Sequence, residues 1–331
     1  MKLSSLEKLP SFALLGPGFG QGRFILLTDL VETESNPQLI YAPFETAGKT
    51  PRKYTFRCQT IDNLEFDSVP CKLTPRLHSE GYRETIGRIR HAIADGDVYQ
   101  VCYTVRAEID DISGAQLLSV MCSRGIPRFA AWVRLPHGEE FVSASPELFF
   151  ETSGRQIHAE PMKGTAGPDS AGFLQSSDKD KSELAMITDL VRNDLTPVCR
   201  PRSVRVACER RLIELPYALQ TVSDVVGDLA DKATPLDALA ALHPGGSVTG
   251  APKQAALTMI NEIESGPRGP YCGALGLWYH ERSTFSLLIR TAAKTAKGWT
   301  YGIGGGIVYD SDAKTEFEEL HLKLGALKYK I

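Results

Sequence analysis

Residues 273–310 read GALGLWYHERSTFSLLIRTAAKTAKGWTYGIGGGIVYD, three strand-like runs (GALGLWYH, TFSLLIRTAAKT and GWTYGIGGGIVYD) separated by a few polar residues. Consecutive apolar runs at this spacing have the order of hairpins, and hairpins pair antiparallel. Outward from this stretch the same grammar continues. Residues 12–57 alternate runs such as FILL and QLIYAPF with Gly, Pro and Thr; VYQVCYTVRAEI, FAAWVRL, EEFVSAS and ELFFETS follow as strands. Helical spacing marks RETIGRIRHAIADGDV, SGAQLLSVMCSRG, residues 178–195, residues 251–264 and a final helix from about 313. Strands in hairpin order with helices interspersed give an α+β fold built on large antiparallel sheets.

The linker-like stretch SVPCKLTPRLHSEG, 68–81, sets off an N-terminal segment, 1–75, that is too small to fold alone and is expected to join the main sheet of a single domain, 1–331. The 331 residues are 42% hydrophobic, ample for a core, with no repeat and no low-complexity tract. A net charge of −3 with both signs interspersed offers no basic stripe, which excludes nucleic acid as a partner. An anionic ligand therefore needs positive charge supplied locally. MKLSSLEKLP has no apolar leader core, and no apolar run approaches the roughly 20 residues that cross a bilayer, so no membrane role and a cytoplasmic location are expected. Seven cysteines form no CxxC pair, as fits reduced, mostly buried thiols.

On a helical wheel DKDKSELAMITDLVRNDL, 178–195, shows one apolar stripe of Leu184, Met186, Ile187, Leu190, Val191 and Leu195, and Asp180 and Glu183 fall inside it. A carboxylate facing a core needs a counter-charge or a metal. The final helix, DSDAKTEFEELHLKL, sets Glu316, Glu319 and Lys323 beside the stripe of Phe317, Leu320, Leu324 and Leu327, with Ser311 or Asp312 as N-cap. Two acidic i, i+3 pairs suit one hard cation such as Mg²⁺. They equally suit wet carboxylates at a helix start and an i, i+4 pair of Glu319 with Lys323.

HPGGSVTGAPK, 243–253, is a glycine-rich loop opening a helix, and GIGGG, 302–306, follows a strand; both offer backbone N–H groups to an anion, and both also read as tight turns. Neither is a Walker A sequence or a dinucleotide fingerprint. Arg290 is a charge within an apolar strand, placed to snorkel or to receive a carboxylate. No H-E-x-x-H and no G-x-S-x-G occurs.

The order GDVYQV, SPELFF, PMKGT, ELAMITDLVRNDL, GGSVTGAPK, ESGPRGPYCG, IRTA, GIGGGIVYDSDAKTEFEE resembles the chorismate-utilising enzymes, a family that includes the large subunits of anthranilate synthase and aminodeoxychorismate synthase, and isochorismate and salicylate synthases. The match spans about 80–325. It implies a sandwich-like core with helices packed outside and a Mg²⁺-dependent site for chorismate, a dianion. By motif, Glu183 and Glu319 resemble the Mg²⁺ ligands, with Asp180, where the family usually has Glu, and Glu316 in a water-bridged outer shell. Arg290 and Tyr271 resemble residues holding the substrate's side-chain carboxylate, aided by Gly304, Gly305 and Gly306. Lys323 resembles a lysine near the ring carboxylate; Thr249 and Gly250 resemble pocket wall.

Family members that add water carry a lysine base where this chain has Gln100, so water addition is disfavoured. HAEPMKGTAGP, 158–168, reads as a turn punctuated by Gly164, Gly167 and Pro168, and its Lys163 matches the Pro-Ile-Lys-Gly-Thr motif of aminodeoxychorismate synthases, where anthranilate synthases have alanine. The resemblance thus implies amination of chorismate to 4-amino-4-deoxychorismate on the path to p-aminobenzoate and folate, with Lys163 as covalent nucleophile, Thr165 and Gln220 beside it, and ammonia from a separate glutamine amidotransferase subunit. The amine must be uncharged to attack, which requires desolvation or a neighbouring cation. Gln220 replaces a histidine thought to assist departure of the C4 hydroxyl, Cys102 replaces an Asn, and ALLGPGFGQGRF lacks the feedback-tryptophan signature Leu-Leu-Glu-Ser. Anthranilate synthase and a non-catalytic chorismate-binding or scaffold protein stay open as alternatives.

Overall fold

The computed structural model describes residues 1–20, 22–46, 48–67, 73, 75–77, 81–166, 177–215 and 218–327. Gly167, Pro168 and most of the linker at 68–81 lie outside them. In chain order the strands are β1 (Phe12–Leu15), β2 (Phe24–Glu32), β3 (Gln38–Ala42), β4 (Arg52–Ile61) and β5 (Arg76–Leu77). Helix α1 (Tyr82–Ala94), β6 (Gln100–Ile109), α2 (Gly114–Met121), β7 (Phe129–Arg134), β8 (Glu140–Ser145), β9 (Leu148–Ser153), β10 (Gln156–Ala159) and β11 (Met162–Ala166) follow. Then come α3 (Asp178–Leu195), β12 (Arg205–Leu215), β13 (Ala218–Asp228), α4 (Pro235–Leu242), α5 (Gly246–Thr249), β14 (Gly250–Ala251) and α6 (Lys253–Ile263). The chain closes with β15 (Ala274–Tyr279), β16 (Arg282–Leu287), β17 (Thr291–Thr295), β18 (Gly298–Ile307) and α7 (Ala313–Lys323).

Every pairing between these strands is antiparallel, and the fold is α+β. The ladder runs from β16 through β15, β3, β4, β2, β1 and β7 to β8, and β8 pairs β17, the continuation of β16. It therefore folds back on itself as a sandwich. Inside lies an aromatic and aliphatic core that includes Leu15, Leu27, Tyr41, Tyr54, Phe129, Phe141 and Leu275. Two arms extend from the ring: β10, β13, β11 and β12 beyond β9, and β18, β6, β5 and β14 beyond β17. The N-terminal strands are built into the ring, since β1 pairs β7 and β3 pairs β15.

The run TFSLLIRTAAKT, expected as one strand, is two. β16 and β17 pair β9 and β8 in nearly one register (Phe285↔Phe150, Thr291↔Ser143), interrupted at 288–290 opposite 146–147. Both strands bend there together. The expected turn around Lys163 is also different: β11 is a strand paired with β13, and the punctuation is a β-bulge at Gly164, φ +72°, a conformation that favours glycine. Helix α4 escaped the sequence reading because it is eight residues long; Thr234 caps it in a capping box with Asp237, and Pro235 sits in its first turn.

Helix α3 forms where expected. Leu184, Ile187, Val191 and Leu195 are buried, and Ser177 caps it by accepting from Asp180 N. Among the described residues no helix is long and apolar enough to cross a membrane. The fully buried rings of Phe150 and Phe285 stack at 4.4 Å within the ladder that joins the two bent strands. Phe285→Ala is expected to cost about 3–5 kcal/mol and to lower the thermal midpoint; a midpoint equal to the parent's would contradict a close-packed ladder at this position.

Candidate functional site

The two bends carry charge into the interior. Pro146 and Glu147 join β8 to β9, and Leu288, Ile289 and Arg290 join β16 to β17. The bends hold each other: Ala144 N donates to Arg290 O at 3.0 Å, Leu287 N to Glu147 O at 3.3 Å and Ser145 Oγ to Leu287 O at 2.6 Å. Arg290 takes φ +51°, a left-handed conformation rare for a side-chain-bearing residue and of the kind that clusters at functional sites. Glu147 is 6% exposed, and Ser247 Oγ donates to its Oε1 at 3.4 Å. Burial pushes its carboxyl up to about 8, opposed by the charges of Lys163 and Arg290 and reinforced by that of Glu160. This carboxyl is an acid at neutral pH.

Lys163 reaches the same place from β11. Its side chain is 16% exposed and its Nζ lies 3.5 Å from Glu183 Oε2 on α3. Thr221 Oγ1 donates to Lys163 O, and Ser223 N to Pro161 O at 3.1 Å, so β13 fixes the strand's backbone. Thr165 pairs with Gln220, which is buried on β13. Thr188 of α3 donates to Ser223 Oγ at 2.8 Å and ties the helix to that strand.

The other arm supplies the facing wall. Gly304, Gly305 and Gly306 of β18 pair with Thr104, Tyr103 and Cys102 of β6. Gly306 is bare because the Gln100 side chain lies over it: a Cβ there would overlap Gln100 Nε2. Gln100 is 1% exposed, and its Oε1 has no hydrogen-bond partner among the described residues, a buried acceptor left open. Above Gly305 stand Glu316 Oε2 and Lys323 Nζ, each 3.6 Å from where a Cβ would be. Lys323 donates to Gly304 O at 2.8 Å and pairs with Glu319 at 2.7 Å; Glu316 is buried and accepts from Ser311 Oγ at 2.7 Å. Asp312, not Ser311, caps α7 by accepting from Lys314 N and Thr315 N. Tyr271 lies against Gly302, where a Cβ would overlap its ring. Helix α5 bridges the arms, packing against α3 on one side and β6 and β18 on the other. At its end Thr249 is buried, and Gly250, φ +140°, approaches the Gln100 carbonyl oxygen too closely for any Cβ.

The pattern of chorismate binding enzymes matches residues 5–329. The chain belongs to this family. Over 275 residues it is 38% identical to an aminodeoxychorismate synthase of Streptomyces pristinaespiralis (78% of this chain, 38% of that protein), and over 250 residues 34% identical to an anthranilate synthase component 1 of Haloarcula marismortui (72% and 51%). The chain thus spans about half the length or less of these curated relatives. In fold it is similar to the menaquinone-specific isochorismate synthase of Escherichia coli, with a TM-score of 0.80 at 16% identity, covering 98% of this chain and 90% of that one.

Within this chorismate-binding fold the structure brings Lys163, Glu183, Glu147 and Arg290 into one cluster, and Gln100, Gly304–Gly306, Glu316, Glu319 and Lys323 into another. Asp180 is partly exposed one turn before Glu183. For a metal, the four expected carboxylates offer an all-oxygen donor set of the kind a hard divalent cation takes, two on each of two helices. No three of them meet within 4.8 Å; among the described residues the group that does is His158, Glu160 and Asp224. There Arg211 already fills the centre, at 2.6 Å from Glu160 and 2.7 Å from Asp224, with Arg128 at 2.7 Å on Glu160's other oxygen. That group is an ion-pair network across β10, β12 and β13. An open groove of about 850 Å³, lined by Phe19, Ile25, Phe56, His158, Arg205 and Arg282 among others, holds none of the expected site residues.

Sequence reading missed Glu147. The signal was present: one carboxylate between a proline and Leu-Phe-Phe at the head of an apolar run, SPELFF, which a buried strand alone does not explain. Because its folded value of about 8 lies above that of an unfolded carboxyl, its contribution to stability is fully present below about pH 4.5 and is lost as pH rises through 8. Thermal midpoints measured across this range are expected to fall for the parent relative to Glu147→Gln, with the gap constant above pH 8; parallel curves would contradict a neutral buried acid.

Proposed function

We propose that the protein aminates chorismate at C4 to give 4-amino-4-deoxychorismate, the aminodeoxychorismate synthase reaction, with ammonia delivered by a separate glutamine amidotransferase subunit. The observation that carries this reading is Lys163: it is turned inward, 16% exposed, beside a carboxylate and an uncharged buried acid. In this reading chorismate lies between the arms, its side-chain carboxylate at Arg290 and Tyr271, its ring carboxylate toward Lys323 and its ring against Gln100, Thr249 and Gly250. Mg²⁺, held by Glu183 and Glu319 with Asp180 and Glu316 through water, would neutralise the ring carboxylate.

The chain's own residues then do the following. Lys163, having shed its proton, bonds through Nζ to C2; both ring double bonds shift and the C4–O bond breaks. Glu147 gives its proton to the departing oxygen, which leaves as water, and Gln220 donates a hydrogen bond that helps to orient it. Ammonia next bonds at C4, the double bonds return, the C2–Nζ bond breaks to restore the uncharged amine, and the new C4 ammonium returns a proton to the Glu147 carboxylate. An acid buried at about 8 suits this exchange, because it is protonated at neutral pH and loses its proton without a large penalty. It also supplies the proton that glutamine at position 220 cannot.

The relatives divide between amination at C4 and anthranilate formation, and product identification separates the two. With chorismate, Mg²⁺ and ammonium, mass spectrometry is expected to find p-aminobenzoate only after aminodeoxychorismate lyase is added; anthranilate formed without the lyase would overturn the reading. Lys163→Ala is expected to abolish the covalent adduct seen by intact mass, and an adduct persisting in that variant rules out this nucleophile. Glu147→Gln is expected to lower kcat by about 10²–10⁴-fold in steady-state assays of chorismate consumption, with chorismate still bound.

A further inference from the structure

Arg268, in the stretch ESGPRGPYCG, is 7% exposed and lies outside every residue assigned above. Its guanidinium is spent on four acceptors in three separate segments. Nη1 donates to Val248 O at 2.6 Å, Nη2 to Cys102 O at 2.7 Å and to Glu264 Oε1 at 2.6 Å, and Nε to Glu264 Oε2 at 2.9 Å. Glu264 Oε1 also accepts from Thr104 N at 2.9 Å. The ring of Phe44 covers the guanidinium at 4.2 Å, and Glu45 Oε1 accepts from Arg268 N at 2.5 Å. A buried cation is costly unless its charge and every donor are met, and a pair of this kind often stabilises no better than apolar packing. What it fixes is geometry.

The geometry fixed is that of the substrate walls. Val248 O immediately precedes Thr249 and Gly250, and Cys102 lies two residues from Gln100 and pairs with Gly306. One planar fork therefore holds the α5 end and the β6 strand at a set spacing, where Gly250 meets the Gln100 carbonyl. The strand so held carries the open acceptor, Gln100 Oε1, buried and without a partner among the described residues. Phe44 and Glu45 extend the brace to the N-terminal strands: Phe44 N donates to Gly269 O at 2.9 Å, and His243 Nε2 meets Pro43 O at 3.0 Å.

We propose that Arg268 is a positioning residue for the substrate, setting the distance between the Gln100 strand and the Thr249–Gly250 turn, and that the Phe44–Glu45 turn holds it in that role. The inference rests on the proposed chorismate site. A lysine keeps the charge beside Glu264 but lacks the fork that spans both carbonyls. In Arg268→Lys, KM for chorismate is expected to rise about tenfold or more while kcat changes less, as follows from loss of ground-state and transition-state positioning together, with the thermal midpoint close to the parent's. Arg268→Ala is expected to regain affinity for chorismate when millimolar guanidinium is added and not when ammonium is. Where the alanine variant does not fold, Glu45→Gln and Phe44→Leu take its place and are expected to raise KM in the same direction. Parental KM and kcat in Arg268→Lys would overturn the proposal, as would a loss of activity that only tracks a fall in midpoint. Parent protein that neither binds nor consumes chorismate would instead overturn the site reading itself.

Discussion

Two strands that bend together govern this molecule. Residues 140–153 and 282–295 run antiparallel through a shared corner, and at that corner the ladder gives up regular pairing so that Glu147 and Arg290 can face inward. Each half of the bent pair then belongs to a different part of the sandwich, and an arm grows from each. The arm beyond β9 brings Lys163 and Gln220; the arm beyond β17 brings Gln100 and the three glycines. A straight pair would have left these two sets on one flat sheet. Backbone acceptors freed by the bend are met by side chains, as where Ser145 Oγ donates to Leu287 O.

Two of the cations gathered there face carboxylates. Lys163 faces Glu183, Lys323 faces Glu319, and Arg290 senses Glu147. Burial depresses the Arg290 pKa and raises that of Glu147, so the interior penalises both ions and the carboxyl resolves the conflict by keeping its proton. A dianion entering this space supplies negative charge that Arg290 and Lys323 are placed to take up. Net charge alone gave no hint of this, because the chain's overall balance is −3 and its cations are spent locally.

Much of the scaffold was legible because it obeys simple periods. The stripe of α3 and the hairpin order of the last strands are carried by the spacing of apolar residues, which burial then enforces. The bend was not legible: TFSLLIRTAAKT is apolar on both sides of Arg290, and no local signal marks a strand that changes sheets. The Lys163 turn was misread for a related reason, since a glycine in a β-bulge and a glycine in a turn look alike in sequence. The pairing of Glu147 with Ser247 and that of Arg268 with the Cys102 carbonyl are invisible in sequence because the partners meet only through long-range packing, and α4 fell below the length at which helical periodicity separates from noise.

The proposed reaction requires chorismate seated between the two arms, over the corner. A crystal structure of the protein with chorismate and Mg²⁺ tests it most directly. The expected result is a ring within reach of Lys163 and Glu147, with a carboxylate on Arg290 and the open acceptor Gln100 Oε1 engaged. A ligand bound instead in the groove beside Phe19 and Phe56, with Lys163 still paired to Glu183, would contradict it.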